Sequence, residues 1–222
     1  MIKARAWTWT GVLVALGGSA LAVAAKRAGY FGSELVAATV LNWLALWSAA
    51  LLTLLILVMG ERQPLSAIGF RRLSWQSLGF GIALAIVVIM TFPLASMILK
   101  ALDIPNPQTA LAQVATWPVW LRVGTLLTAG VTEEILFRGY PISRLKAATG
   151  STAIAALIPF AVFVALHLPS WGVAHLLFVS LAGALFTVAF LWRRDLWGNI
   201  VAHWGVDAVP LLVLPLTGVP PG

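Results

Sequence analysis

The 222-residue chain contains no cysteine and few charged residues. Without cysteine it can form no disulfide, no thiol nucleophile and no cysteine-based metal site. Charged residues make up 9% of the chain, whereas ordinary soluble domains carry roughly 25%. Hydrophobic residues make up 61%, and a chain of this length cannot bury so much apolar surface in one core. The composition therefore predicts an integral membrane protein that has the lipid bilayer as a partner.

No nucleic-acid partner is expected, although the formal net charge is +7. The Lys and Arg residues lie between apolar runs and form no basic stripe interleaved with aromatic residues. Their positions therefore report on membrane topology and on contact with anionic headgroups.

Seven apolar runs approach the length of about 20 residues that a membrane-spanning helix needs. They lie at 7–25, 35–59, 76–99, 119–145, 151–168, 172–192 and 196–217. The sequence therefore predicts an all-α polytopic transmembrane bundle of about seven helices, with eight as the alternative, in a single domain over residues 1–222. The proline-containing segment 103–118 is predicted to be a linker with a short interfacial helix.

Basic residues orient the predicted bundle, because cytoplasmic loops are enriched in Lys and Arg. If each run spans once, three basic clusters fall on one side. These clusters are Arg62, Arg71 and Arg72; then Arg138, Arg144 and Lys146; then Arg193 and Arg194. The N-terminus also falls on this side, whereas Lys26 and Arg27 fall on the other. We therefore expect a multi-pass protein of a bacterial cell membrane with a cytoplasmic N-terminus.

Ionisable residues interrupt the later apolar runs. Such a side chain at mid-membrane costs several kcal/mol by insertion scales, so it usually faces the bundle interior and marks a functional site. The residues concerned are Glu133, Glu134, His167, His175, His203 and Asp207. Their occurrence on successive helices predicts a buried site. We exclude His175 from this site, because we expect it to lie at the membrane interface.

The two adjacent carboxylates have different predicted roles. Glu134 and Arg138 are four residues apart and share a helix face, so they are predicted to form a structural ion pair. Glu133 points about 100° away from Glu134 around the helix. It is therefore free to face a cavity and to act as a general base.

The histidines lie on the following helices. Phe163 and His167 share one face, while Asn199, His203 and Asp207 follow one another at i, i+4 steps and form a polar stripe. Two chemistries remain open for these groups. Glu133, His167 and His203 suit the binding of Zn²⁺ or another divalent metal. Alternatively, the same groups activate water directly without a metal, with His203 and its neighbour stabilising the oxyanion.

These residues resemble three motifs of the CAAX prenyl endopeptidase and bacteriocin-processing (CPBP or Abi) family of intramembrane proteases. The motifs stand here as Glu133-Glu134-x-x-x-Arg138, Phe163-x-x-x-His167 and His203-x-x-x-Asp207. Their order, their spacing and their placement on successive helices match, and the resemblance is concentrated in residues 119–210. It implies a peptidase fold that opens toward the cytosol and acts on a membrane-held or lipidated peptide or protein.

The resemblance also implies roles for individual residues. Glu133 activates water and is hydrogen-bonded with His167, while His203 and Asp207 line the oxyanion side. Beside these implied roles, the residues themselves predict that Asn199 supports the site as a partner of His203, or else starts the helix after Gly198, and that Phe163 supports it by packing the pocket wall. The family commonly has Asn at the position of Asp207, and an ionised carboxylate cannot donate to an oxyanion. Asp207 must therefore be protonated, orient His203 or bind a metal.

Two other functions fit the same buried groups. A proton- or ion-coupled transporter uses buried carboxylates and histidines as a relay, although no internal repeat of the transporter type is evident. A non-catalytic immunity or scaffold protein of the same fold is the second alternative.

Overall fold

The computed structural model describes residues 2–105 and 113–216, and all side chains within these ranges except those of residues 2–5 and 170. Eight α-helices and no strand occur among the described residues, so the predicted all-α class is confirmed. The helices are α1 Ile2–Arg27, α2 Leu35–Leu55, α3 Trp75–Ala101, α4 Val119–Glu133, α5 Tyr140–Thr149, α6 Thr152–Arg193, α7 Leu196–Ala208 and α8 Leu214–Leu216. Single π-helical turns follow α2, α4 and α7, at Ile56–Gly60, Glu134–Gly139 and Val209–Val213.

Helix α6 consists of two antiparallel spans. Gly172 has φ 78° and ψ 173°, which breaks the helix, and only glycine adopts such backbone angles at little cost. The spans are Thr152–Pro169 and Trp171–Arg193. The Phe163 ring packs against Gly183 on the opposite side of the break, so the second span returns along the first.

Six described helical segments are long and apolar enough to cross a membrane. They correspond to six of the seven predicted runs. The fourth run, 119–145, is helical through α4, the π turn and α5, but it is not among the six. It carries several charged residues, of which Arg122, Glu134 and Arg138 are buried and Glu133 and Arg144 are partly buried. Residue 217 and much of the predicted interfacial helix in 103–118 lie outside the described residues.

The three predicted basic clusters, apart from the buried Arg138, meet at one end of the bundle. The Leu196 backbone N–H donates to the Gly69 carbonyl at 2.9 Å, and the Trp197 indole donates to the Arg71 carbonyl at 3.0 Å. Arg144 forms an ion pair with Glu61 at 2.6 Å. We call this end, which also contains the start of α1, the basic end.

Glu61 connects three helices at the basic end. Its carboxylate accepts a hydrogen bond from the Tyr140 hydroxyl at 2.7 Å in addition to the ion pair with Arg144. The Tyr140 hydroxyl also lies 3.5 Å from the Thr8 carbonyl of α1. Because Glu61 is buried, its negative charge is stabilised by Tyr140 and Arg144 rather than by water.

We expect Glu61→Gln to destabilise the protein, because Arg144 then lacks its counter-charge beside a buried amide. The predicted loss is about 1–3 kcal/mol of unfolding free energy, measured as a lower thermal midpoint in detergent. Asp103→Asn, at an exposed turn residue, is the matched control and should leave the midpoint unchanged. Equal midpoints for the two variants would contradict a stabilising role of Glu61.

Candidate active site

The fully buried carboxylate of Glu134 is the centre of a polar cluster. It accepts hydrogen bonds from Arg138 Nη1 at 2.9 Å, from Asn199 Nδ2 at 3.0 Å and from His203 Nδ1 at 2.9 Å. The Asn199 amide also donates to the Phe186 carbonyl of α6 at 2.9 Å. The cluster therefore links the π turn after α4 with α6 and α7.

Arg138 is held by an ion pair and by an aromatic ring. Besides the ion pair with Glu134, its guanidinium carbon lies 4.0 Å from the centre of the Phe163 ring. Such cation–π contacts are stronger where water is excluded, and Arg138 is buried. The pairing of Glu134 with Arg138 agrees with the prediction from their spacing. The support from Phe163 adds a contact that the spacing did not show.

His203 has one ring nitrogen in the cluster and the other facing two further carboxylates. Because Glu134 can only accept, the Nδ1–H of His203 donates to it. The Nε2 atom then lies 3.8 Å from Glu133 Oε2 and 3.6 Å from Asp207 Oδ2. Glu134 thus fixes the orientation of the imidazole, and its second nitrogen faces the other two carboxylates.

Glu133 is the carboxylate without a fixed partner. Its side chain is 16% exposed and lines a cavity, and its Oε2 atom has no hydrogen-bond partner among the described residues. This geometry agrees with the predicted division between a paired Glu134 and a free Glu133. Its catalytic role stays a prediction.

His167 differs from the expectation. Its Nδ1–H donates to the Phe163 carbonyl of its own helix at 2.7 Å, which leaves Nε2 of the neutral ring as an acceptor. No hydrogen bond among the described residues joins His167 to Glu133, although the resemblance implied one. Asn199 also differs, because its amide binds Glu134 rather than His203.

The cluster forms the inner end of a cavity of about 520 Å³. Glu133, His167, His203 and Asp207 all line it. Its aromatic lining consists of Trp43, Phe92, Trp117, Phe137, Phe163, Trp171, Phe178 and Phe186. A deep apolar cavity with a few convergent polar groups is typical of a small-molecule or peptide site.

The cavity extends from the cluster toward the end of the bundle opposite the basic end. Its outer lining includes Lys26, at the end of α1, and Gln113, just before α4. On the other side of the cluster, fully buried side chains close the bundle: Leu57, Ile68, Tyr140, Phe190 and Leu196. The N-terminus and the cavity mouth therefore lie at opposite ends. The expectation placed both on the cytoplasmic side, and which side of the membrane each end faces stays a prediction.

Sequence reasoning left His175 out of the site, yet it lines the same cavity. Its imidazole stacks on Trp171 with ring centres 5.0 Å apart. The spacing of Trp171 and His175 by four residues was a signal that they share a face. The aromatic lining as a whole had no such signal, because aromatic residues also occur at membrane interfaces.

The residues proposed as metal ligands do not form a ligand group. Among the residues that the structure describes, no three His, Asp or Glu side chains are arranged to hold one ion. The metal-bound alternative of Glu133, His167 and His203 stays a prediction, and we derive no step through a metal.

Fold and cluster together define a polytopic α-helical membrane protein whose carboxylates and histidines face an internal cavity. Residues 115–209 match the family described as type II CAAX prenyl endopeptidase, Rce1-like, which confirms the resemblance over the region that contains all three motifs. At the level of this family, the chain is similar to intramembrane peptidases. No curated protein and no solved structure matches the chain.

We expect Glu134→Gln to destabilise the fold without a change of volume, because it leaves the buried Arg138 without a counter-charge. Removing one partner of a buried ion pair costs about 3–5 kcal/mol, measurable as a lower thermal midpoint in detergent. The double variant Glu134→Gln, Arg138→Met removes both charges and should recover much of the loss.

Arg72→Met, at an exposed residue of the basic end, is the control for the second substitution. A double variant less stable than Glu134→Gln alone would show that the pair does not act as one unit.

Proposed function

We propose that the chain is an intramembrane endopeptidase in which Glu133 activates the attacking water. The observation that carries this proposal is the position of the free Glu133 carboxylate. It faces the cavity 3.8 Å from His203 Nε2, while the other nitrogen of His203 is held by Glu134. A base beside an oriented imidazole, in a cavity that can receive a peptide, meets the geometric requirement for acid–base hydrolysis.

The proton path follows from these positions. Glu133 takes a proton from water as the water oxygen attacks the scissile carbonyl carbon. The tetrahedral intermediate then carries negative charge on the former carbonyl oxygen. In its charged form, His203 donates from Nε2 to this oxyanion. The C–N bond breaks as Glu133 returns the proton to the leaving nitrogen, so the carboxylate is regenerated.

His167 and Asp207 complete the proposed site. The free Nε2 of His167 accepts a hydrogen bond from water or from a substrate N–H. Asp207 lies 3.6 Å from His203 Nε2, so its carboxylate faces the nitrogen that donates to the oxyanion. This assigns to Asp207 the role of supporting His203, in place of the amide donor common in the family.

The cavity lining supports an apolar substrate segment. The volume of about 520 Å³ lies within the range of ligand pockets, and its aromatic walls favour apolar groups. We infer a substrate with a membrane-held or lipidated C-terminal segment, of which a prenylated CAAX peptide is the form that the matched family acts on.

We expect Glu133→Gln to reduce cleavage of a membrane-anchored peptide by about 10²–10⁴-fold, the usual contribution of a general base. The product is measured by mass spectrometry with purified protein in vesicles. Because Glu133 Oε2 has no hydrogen-bond partner among the described residues, the thermal midpoint should stay unchanged. Asp103→Asn, which alters an exposed carboxylate, should cleave normally.

Wild-type cleavage by Glu133→Gln would remove Glu133 as the base. A lost activity together with a lowered thermal midpoint would instead indicate a structural role.

We also expect chelators to leave cleavage unchanged, because the described donor set forms no metal-ligand group. The measurement is the same assay after treatment with 1,10-phenanthroline or EDTA, followed by addition of Zn²⁺. Loss of cleavage by chelation and its recovery with Zn²⁺ would contradict the metal-free mechanism.

A further inference from the structure

The positions of the basic residues and of the cavity bear on the side from which a substrate enters. The Lys and Arg residues at the basic end are Lys3, Arg5, Arg62, Arg71, Arg72, Arg144, Lys146, Arg193 and Arg194. Those at the opposite end are Lys26, Arg27 and Lys100. Segments 106–112 and 217–222 contain no Lys or Arg, so they do not alter this balance.

The two buried arginines do not contribute to the loop balance. Arg138 lies in the Glu134 cluster, and Arg122 donates to the Leu211 carbonyl at 3.0 Å. The remaining excess of Lys and Arg at the basic end lies in short loops and at helix ends. These are the positions where Lys and Arg determine membrane orientation. The basic end is therefore expected on the cytoplasmic side.

The cavity leads away from that side. Its lining runs from Glu133 and His203 to Lys26 at the end of α1 and to Thr39 near the start of α2. No residue from the loop 61–74 or from α5 lines it. Between the cluster and the basic end lie the fully buried side chains of Leu57, Tyr140 and Leu196, so packed protein separates the cluster from that end.

We propose that the catalytic cavity opens on the non-cytoplasmic face of the membrane and takes membrane-anchored segments exposed on that face. The substrate class is therefore an exported protein or peptide whose cleaved bond lies on the outer side of its anchor. The part of this inference that concerns a substrate rests on the proposed function. The orientation of the cavity can be tested without any activity.

The absence of cysteine from the natural chain makes the test direct. Single cysteines are introduced into the full-length protein in intact cells and labelled with a membrane-impermeant maleimide. Tyr30→Cys lies in the loop after α1, where the side chain is 81% exposed. Leu73→Cys lies in the loop before α3, at the basic end, where the side chain is 56% exposed.

We expect Tyr30→Cys to be labelled equally before and after permeabilisation, and Leu73→Cys to be labelled only after it. The reverse pattern, or labelling of both in intact cells, would overturn the proposal.

A second pair of variants tests the cavity itself. Asn42→Cys on α2 lies in the cavity lining, whereas Leu44→Cys, two residues further along α2, is 58% exposed on the outer surface of the bundle. Maleimide requires a hydrated thiolate, so the lipid-facing position should resist labelling. We expect Asn42→Cys to react in intact cells and Leu44→Cys not to react. Reaction of Asn42→Cys only after permeabilisation would place the mouth on the cytoplasmic side.

The labelling experiments test the orientation of the cavity, and the Glu133→Gln assay tests the reaction, so either proposal can be contradicted without the other. Labelling as expected, together with normal cleavage by Glu133→Gln, would retain the orientation and reject the reaction. Reversed labelling together with lost cleavage would do the opposite.

Discussion

The buried carboxylate of Glu134 determines how the functional helices are held together. It receives donors from Arg138, Asn199 and His203, and a carboxylate without such donors would be costly away from water. Since Asn199 also binds a carbonyl of α6, one charge fixes the relative positions of α4, α6 and α7. The free Glu133 depends on this arrangement, because His203 can face it only while Glu134 holds the other ring nitrogen.

The π turn after α4 brings this cluster close to the basic end. It begins at Glu134 and ends at Gly139, and π turns are frequent at functional sites. A methyl group on Gly139 would lie 3.0 Å from the Leu196 side chain and 3.1 Å from the Ile68 carbonyl. Glycine therefore allows the start of α7 and the loop before α3 to pack closely against the π turn.

Much of the local arrangement follows from spacing, because helix geometry places residues four apart on one face. The pairing of Glu134 with Arg138 and the free orientation of Glu133 could be predicted in this way. The partner of Asn199 could not, since it depends on how α7 packs against the π turn. The direction of the cavity could not be predicted either. The number of Lys and Arg residues at each helix end predicts its side of the membrane. The position of the cavity mouth depends instead on the end at which the helices pack less closely.

The polar stripe of α7 shows how structural and chemical roles are separated along one helix. α7 begins at the basic end, so Asn199, His203 and Asp207 follow in order toward the cavity mouth. Asn199 is fully buried, His203 is 7% exposed and Asp207 is 28% exposed. The stripe therefore starts with a residue that binds Glu134, continues with an imidazole shared by Glu134 and the cavity, and ends with a partly exposed carboxylate in the cavity lining. Under the proposed mechanism Asp207 faces both His203 Nε2 and the cavity, so the replacement of the common Asn by Asp207 changes the chemistry of the cavity rather than the packing around Glu134.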